Sequence, residues 1–162
     1  MRILWFAIAL ATLSTFALRT GPARAQDQDQ DQVLPAQVLV VLAKEEAGSI
    51  DATLKDEPAL RRPPFNSFRS MKVLSKPEVS LRVKKPEEVT LPNGRKLRLS
   101  VERVLPDDRY RVKVSINRPD QNDYLPLLQV VASRGDPFFV AGQSHKGGTL
   151  VIGVRIGQKP SK

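Results

Sequence analysis

The feature that most constrains this chain is the alternation of apolar and polar side chains in two segments, residues 96–101 and 109–114. In the first segment Leu97, Leu99 and Val101 are separated by charged or hydroxyl-bearing residues. A period of two is typical of a β-strand with one buried face, whereas the apolar residues of an amphipathic helix recur every three or four positions. The pattern therefore predicts two neighbouring strands with one aliphatic face and one basic face.

The turn between these strands sets their expected register. Pro106 excludes a two-residue primed turn, because such a turn would need a positive φ at this position. A four-residue loop over 105–108 is predicted instead, and a slip of one residue would turn every Leu and Val of the pair towards solvent. The facing pairs expected from this loop are Val104 with Arg109, Glu102 with Arg111, Val101 with Val112 and Leu99 with Val114.

Other segments extend this pattern into a β-rich fold. Residues 37–43 and 124–132 are short runs that are apolar on both sides, and residues 137–142 and 149–156 are predicted to form the last hairpin. Residues 49–62 carry a helical signal that a proline interrupts. We expect an α+β, β-rich single domain of about seven mostly antiparallel strands with one short helix, and a β-sandwich is the alternative architecture.

The first 25 residues have the composition of a secretory signal peptide. Arg2 provides a positive start, residues 3–18 are almost entirely apolar, and Ala23-Arg24-Ala25 matches the small-residue cleavage pattern. We therefore expect a Sec-type leader, export to the periplasm or the medium, and no transmembrane segment after cleavage. The predicted parts of the chain are the leader at 1–25, a disordered Gln/Asp tail at 26–36, a single β-rich domain at 37–157 and a basic C-terminal tail at 158–162.

Composition excludes several classes of chemistry. The chain has no cysteine, which rules out disulfide scaffolds, thiolate zinc sites, iron–sulfur clusters and cysteine nucleophiles. It has a single histidine, so a histidine-rich metal site is excluded as well. The sequence therefore predicts neither a cofactor nor a bound metal ion.

The expected hairpin tip at 143–148 carries the best candidate for catalysis. Ser144 and His145 are adjacent there, and a hydrolase that uses this tip is one interpretation of the chain. Nucleophilic catalysis, however, needs a base that a third group holds beside the nucleophile, and two neighbouring loop residues do not provide that geometry. Because no motif meets this requirement, the favoured interpretation is a protein that is not an enzyme.

Charge is the strongest functional signal in the sequence. Residues 61–113 contain fifteen basic and six acidic residues, whereas the whole chain has 26 and 17. On the strand alternation eight cations fall opposite the apolar positions, and no aromatic side chain is expected beside them because Tyr110 falls on the inner side. A sheet face of this kind attracts polyanions. The expected binding residues are Lys72, Arg82, Lys84, Lys96, Arg98, Arg109, Arg111 and Lys113.

These observations favour a small exported, non-enzymatic binding or assembly module of the bacterial cell envelope. Its expected partner is an envelope protein or an anionic envelope polymer that contacts the basic sheet face. Nucleic acid is not expected as a partner, because export separates the two and no platform for base stacking is predicted. The alternatives are a solvated outer face with no ligand, the hydrolase at the hairpin tip, and a purely structural subunit that associates with itself.

Overall fold

The computed structural model describes residues 32–119, 121 and 123–157. These residues form nine β-strands joined by loops and short turns. Three of the predicted segments lie outside the described residues: the leader 1–25, the first part of the tail at 26–31 and the C-terminal tail at 158–162. The strands are β1 (Val33–Lys44), β2 (Ser70–Ser75), β3 (Glu78–Arg82), β4 (Glu87–Thr90), β5 (Lys96–Leu105), β6 (Arg109–Asn117), β7 (Tyr124–Ser133), β8 (Phe138–His145) and β9 (Gly148–Ile156).

The strands form two antiparallel sheets. In the first sheet the order is β2-β1-β9-β8, and β3 pairs with the first half of β1 on the same side as β2. In the second sheet the order follows the sequence, β4-β5-β6-β7. The predicted β-rich single domain is confirmed, with nine strands in place of about seven.

The predicted boundary between tail and domain at residue 37 lies four residues too late. Strand β1 begins at Val33, and it buries Leu34 and Ala36. Leu34 pairs with Leu81 of β3, so this part of the chain has an apolar partner that compensates the entropy of ordering it.

The two sheets share one aliphatic core. Side chains from β1 and β9 of the first sheet meet side chains from β5 and β6 of the second sheet in a single buried cluster, which is the arrangement of a sandwich. Tyr110 of β6 is its bulkiest member and is 2% exposed. Members with no more than 1% exposure include Val38, Val40, Leu97, Leu99, Val112, Val114, Ile152 and Val154.

Three 3-10 turns cover the outer face of the first sheet, in and beyond the region where one short helix is predicted. None is longer than four residues, and the described part of the chain contains no α-helix, so the predicted helix at 49–62 is wrong. Pro58 begins the second turn, and Pro63-Pro64 follows it, so the backbone lacks the N–H groups that a continuous helix requires. The turns are Ala52–Leu54, Pro58–Arg61 and Phe65–Ser67.

A second apolar cluster holds these turns against the sheet. Each turn buries one side chain, and these are Leu54, Leu60 and Phe65. The ring of Phe65 meets the ring of Phe139 on β8 edge to face, with 6.1 Å between the ring centroids. Aromatic pairs prefer this geometry, so Phe65 acts as a core residue that anchors the third turn.

The β5–β6 hairpin has the predicted register in its interior. Val101 faces Val112, and Leu99 faces Val114. All four side chains are fully buried. The alternation alone was sufficient here, because any slip would expose the whole aliphatic set.

Near the turn the predicted register is wrong, because Glu102 forms a β-bulge. An unbroken alternation would turn Arg103 towards the core and Val104 towards solvent. The extra residue keeps Arg103 on the outside, opposite Arg111, and lets Val104 face Tyr110 within the core. The connecting loop is then three residues long rather than four.

The replacement Gly153→Ala tests the packing of β9 against β8. A Cβ atom at this position would lie 2.6 Å from a ring carbon of Phe139, closer than two carbon atoms approach. We expect the free energy of unfolding, measured by urea denaturation, to fall by about 1–3 kcal/mol. In a Phe139→Leu background, where the ring is gone, the same replacement should lower it by less. An equal loss in both backgrounds would contradict this explanation.

Candidate functional site

Six cations lie on the outer face of the second sheet, and we call this surface the basic face. Strands β5 and β6 run side by side, and their side chains alternate between the core and the outside. Each aliphatic residue in the core therefore fixes a polar neighbour on the outer face. The cations of the basic face are Lys96, Arg98 and Arg103 on β5, and Arg109, Arg111 and Lys113 on β6.

Five of the eight predicted binding residues lie on the basic face, and three do not. Lys72 lies on β2 and Arg82 lies on β3, both in the first sheet. Lys84 lies in the connection between β3 and β4, with a φ of 61°. The prediction that all eight share one face is wrong, because alternation shows which side of its own strand a residue takes and not which sheet the strand joins.

Arg103 is a member of the basic face that the sequence interpretation missed. Simple alternation assigns it to the inner side, and only the bulge at Glu102 moves it outside. The available signal was the break in the pattern itself. Two consecutive charged residues inside a strand that is otherwise half apolar are typical of a bulge, since one of them would otherwise be buried.

Glu88 of β4 neutralises one end of the basic face. Its carboxylate lies 2.7 Å from the Arg98 guanidinium and 3.8 Å from Lys96 Nζ. It also accepts a hydrogen bond of 2.7 Å from the Tyr124 hydroxyl. The Tyr124 hydrogen bond, followed by that from Arg98, lowers the pKa of Glu88 below its ordinary value. The same hydrogen bond is the main reason that the pKa of Tyr124 is raised.

An aromatic side chain joins the basic face, which contradicts the prediction that none does. The guanidinium carbon of Arg98 lies 3.5 Å from the centroid of the Tyr124 ring, a cation–π contact. Arg98 reaches across β6, where Ser115 lies opposite it and is only 7% exposed. Residues 124–132 are apolar on both sides in the sequence, and the irregular pairing at Leu127 shifts the phase of β7, so alternation does not assign Tyr124 to a face.

Towards the hairpin turn the basic face is not neutralised. Arg103, Arg111 and Lys113 are exposed, and none of them forms an ion pair with another described residue. The carboxylate of Glu102 instead accepts a hydrogen bond of 2.9 Å from Gln129 on β7. Arg103 and Arg111 face each other directly, and like charges in this position destabilise a sheet.

A cleft of about 590 Å³ lies beside the hairpin between β8 and β9, where the hydrolase interpretation places its site. The hairpin is tighter than predicted, because β8 continues to His145 and the turn contains only two residues. Ser144 faces Thr149 and His145 faces Gly148 in the ladder, so the Ser144 and His145 side chains leave opposite faces of the strand. The structure therefore does not bring this nucleophile and this base together, and the hydrolase stays an untested prediction.

Comparison of the chain with models of protein families, with curated proteins and with solved structures gave no match. Within the residues that the structure describes, no group of acidic and histidine side chains is placed to hold a metal ion. No helix in that part of the chain has the length and apolar character needed to cross a bilayer. The basic face, with its charge and its geometry, is the feature from which we argue a function.

The replacement Tyr124→Phe tests the link between Tyr124 and Glu88. It removes the hydrogen bond that most lowers the pKa of Glu88, so this pKa should rise towards its ordinary value in an NMR titration of the carboxyl carbon. A lowered carboxyl pKa stabilises the fold above the ordinary glutamate pKa, and this contribution is lost as the pH falls through the lowered value. The wild-type protein should therefore be more stable than the variant at neutral pH and lose that advantage in acid.

The control for this experiment is Tyr110→Phe, because Tyr110 lies in the core on the other side of the sheet. It should leave the titration of Glu88 unchanged. If Tyr124→Phe also left that titration unchanged, the hydrogen bond would not be the cause of the lowered pKa.

Proposed function

We propose that this domain is a non-enzymatic module that binds a linear anionic polymer of the bacterial cell envelope through its basic face. The observation that carries the proposal is the presence of three exposed cations, Arg103, Arg111 and Lys113, without an ion pair among the described residues. Cations that already have a carboxylate partner gain little from a new anion. Unpaired cations only release water and small ions when a polyanion binds, so they contribute most to its affinity.

The spacing of the cations fits a polymer better than a single small anion. Arg109, Arg111 and Lys113 occupy alternate positions of β6, so their Cα atoms are about 7 Å apart along the strand. They lie on an open sheet surface, where a small anion would contact only one or two of them. A chain that repeats a negative charge contacts the whole row at once and gains from each contact.

The facing arginines give further support. Placing Arg103 opposite Arg111 lowers the stability of the sheet, and no carboxylate among the described residues pairs with either of them. Local conflicts of this kind are expected where a surface serves binding rather than stability. A polyanion that crosses the two strands at this point would remove the conflict.

The location of the partner is part of the proposal and rests on the leader-like sequence at 1–25. An exported protein meets acidic wall polymers and lipopolysaccharide rather than nucleic acid. We favour a polymer over an envelope protein because the row of cations repeats along a strand and has no shaped pocket around it. The hydrolase alternative gains no support from Ser144 and His145, which lie on opposite faces of β8.

The double replacement of Arg111→Gln and Lys113→Gln tests the proposal. It removes two unpaired cations and leaves the contacts around Glu88 in place. A cation near an anionic surface contributes about 1 kcal/mol, so binding to immobilised poly(glycerol phosphate) should weaken roughly 30-fold. The slope of the logarithm of affinity against the logarithm of salt concentration should also fall by about 2.

The matched control is the double replacement of Lys72→Gln and Arg82→Gln. It changes the net charge by the same amount, and both residues are exposed, but they lie in the first sheet. This control should bind the polymer almost as well as the wild-type protein. Equal losses for the two double variants would show that only net charge matters, and the assignment to the basic face would be wrong.

A further inference from the structure

One side of the sandwich has edge strands without any charged residue. Strand β8 is the edge of the first sheet, β7 is the edge of the second, and the two contact each other. Their sequences are FFVAGQSH and YLPLLQVVAS, which contain no Lys, Arg, Asp or Glu. In a chain with 27% charged residues, eighteen consecutive edge positions without one are unusual. The edges on the other side, β2, β3 and β4, carry Lys72, Glu78, Arg82, Glu87 and Glu88.

The β7 edge also exposes apolar side chains. Val131 is 47% exposed and Leu125 is 38% exposed. Leu128 and Val130 face the core but are only partly buried, whereas Val112 and Val114, which they face on β6, are fully buried. An exposed apolar edge with free backbone N–H and C=O groups is a template for a further strand, and native proteins usually protect such edges with charges.

Only half of β7 is blocked by other means. Pro126 lacks an N–H group, and the irregular pairing at Leu127 interrupts the ladder. Residues 128–133 follow as a regular segment of six, which is the usual length of a strand. This segment is therefore the part of the edge that is open to pairing.

We propose that residues 128–133 pair with the same residues of a second copy of this chain, antiparallel about a two-fold axis, so that the two second sheets join into one. A two-fold interface uses the same surface on both molecules, so each copy must be compatible with itself. An uncharged strand meets this condition, because no like charges face each other across the axis. This is the reason for choosing a second copy rather than a different protein.

The cations of the basic face do not prevent this pairing. They lie on β6, one strand inside the edge, so the rows of Arg109, Arg111 and Lys113 in the two copies are three strand spacings apart, about 14 Å. The Debye length is about 8 Å at physiological ionic strength, so the repulsion between the rows is largely screened there. The dimer should therefore become stronger with salt, whereas polymer binding by the basic face becomes weaker.

Sedimentation equilibrium of the purified protein tests the proposal. A reversible dimer is expected at concentrations up to about 0.1 mM, a range in which micromolar affinities are saturated. The dimer fraction should rise between about 0.01 M and about 0.15 M salt, as the Debye length falls from about 30 Å to about 8 Å. A monomer under all these conditions would overturn the proposal, and it would leave the proposed polymer binding intact because that is measured with a different ligand and has the opposite salt dependence.

The replacement Val131→Lys places a charge on the proposed axis and should abolish the dimer. The control is Val33→Lys, because Val33 at the start of β1 is 48% exposed, almost the same as Val131. The control should leave the dimer unchanged, and the circular dichroism spectrum of both variants should match that of the wild-type protein. A dimer that survives Val131→Lys would show that the interface lies elsewhere.

Cysteine cross-linking gives a second measurement that does not depend on disrupting the interface. The chain has no cysteine, so each introduced thiol is the only one present. Under mild oxidation Gln129→Cys or Val131→Cys should form a disulfide-linked dimer, because these positions lie close to their copies across the axis, and Val33→Cys should not. Equal cross-linking at Val33 and at the β7 positions would indicate random collision and contradict the proposed pairing.

Discussion

The aliphatic layer between the two sheets holds this molecule together and also determines where its charges lie. Six side chains of β5 and β6, Leu97, Leu99, Val101, Val112, Val114 and Ile116, are at most 1% exposed. Each contributes about 1.5–3 kcal/mol by leaving water, so a register slip that exposed all six would lower stability by about 10 kcal/mol or more. This is comparable with the whole stability of a typical domain, about 5–15 kcal/mol. The outward position of Arg111 and Lys113 follows directly from the burial of their neighbours.

The bulge at Glu102 shows how the same requirement works where alternation fails. Unbroken pairing would bury Arg103 and expose Val104, and both changes are unfavourable. One extra residue corrects both, at the expense of placing Arg103 opposite Arg111. The core is preserved and the electrostatic conflict is moved to the surface, where a ligand can relieve it.

The parts of the fold that follow from local pattern could be predicted from the sequence. The interior register of the β5–β6 hairpin and the aliphatic core depend on which side of a strand each residue takes, and alternation shows this. The positions of Lys72 and Arg82 depend on which sheet their strands join, which is decided by long-range pairing with β1. Tyr124 was missed because its strand is apolar on both sides, and the helix at 49–62 was wrong because prolines leave only 3-10 turns there.

The basic face and the uncharged edge are neighbours in the second sheet. Strand β6 carries the row of cations, and β7, which follows it, exposes an edge without charge. If two copies join through β7, their basic faces lie in one continuous sheet, and a polymer long enough to span both would bind two rows of cations together. Multivalent contact of this kind increases affinity without any new contact within each copy.

The most direct test of the central claim is an NMR titration of the protein with a short, defined oligomer of glycerol phosphate. The account predicts that amide and side-chain shifts change along β5 and β6 near Arg103, Arg111 and Lys113, and that they change little in the first sheet around Lys72 and Arg82. Changes spread evenly over both sheets, or concentrated beside Ser144 and His145, would contradict the claim that the core of this domain builds a specific anion-binding face.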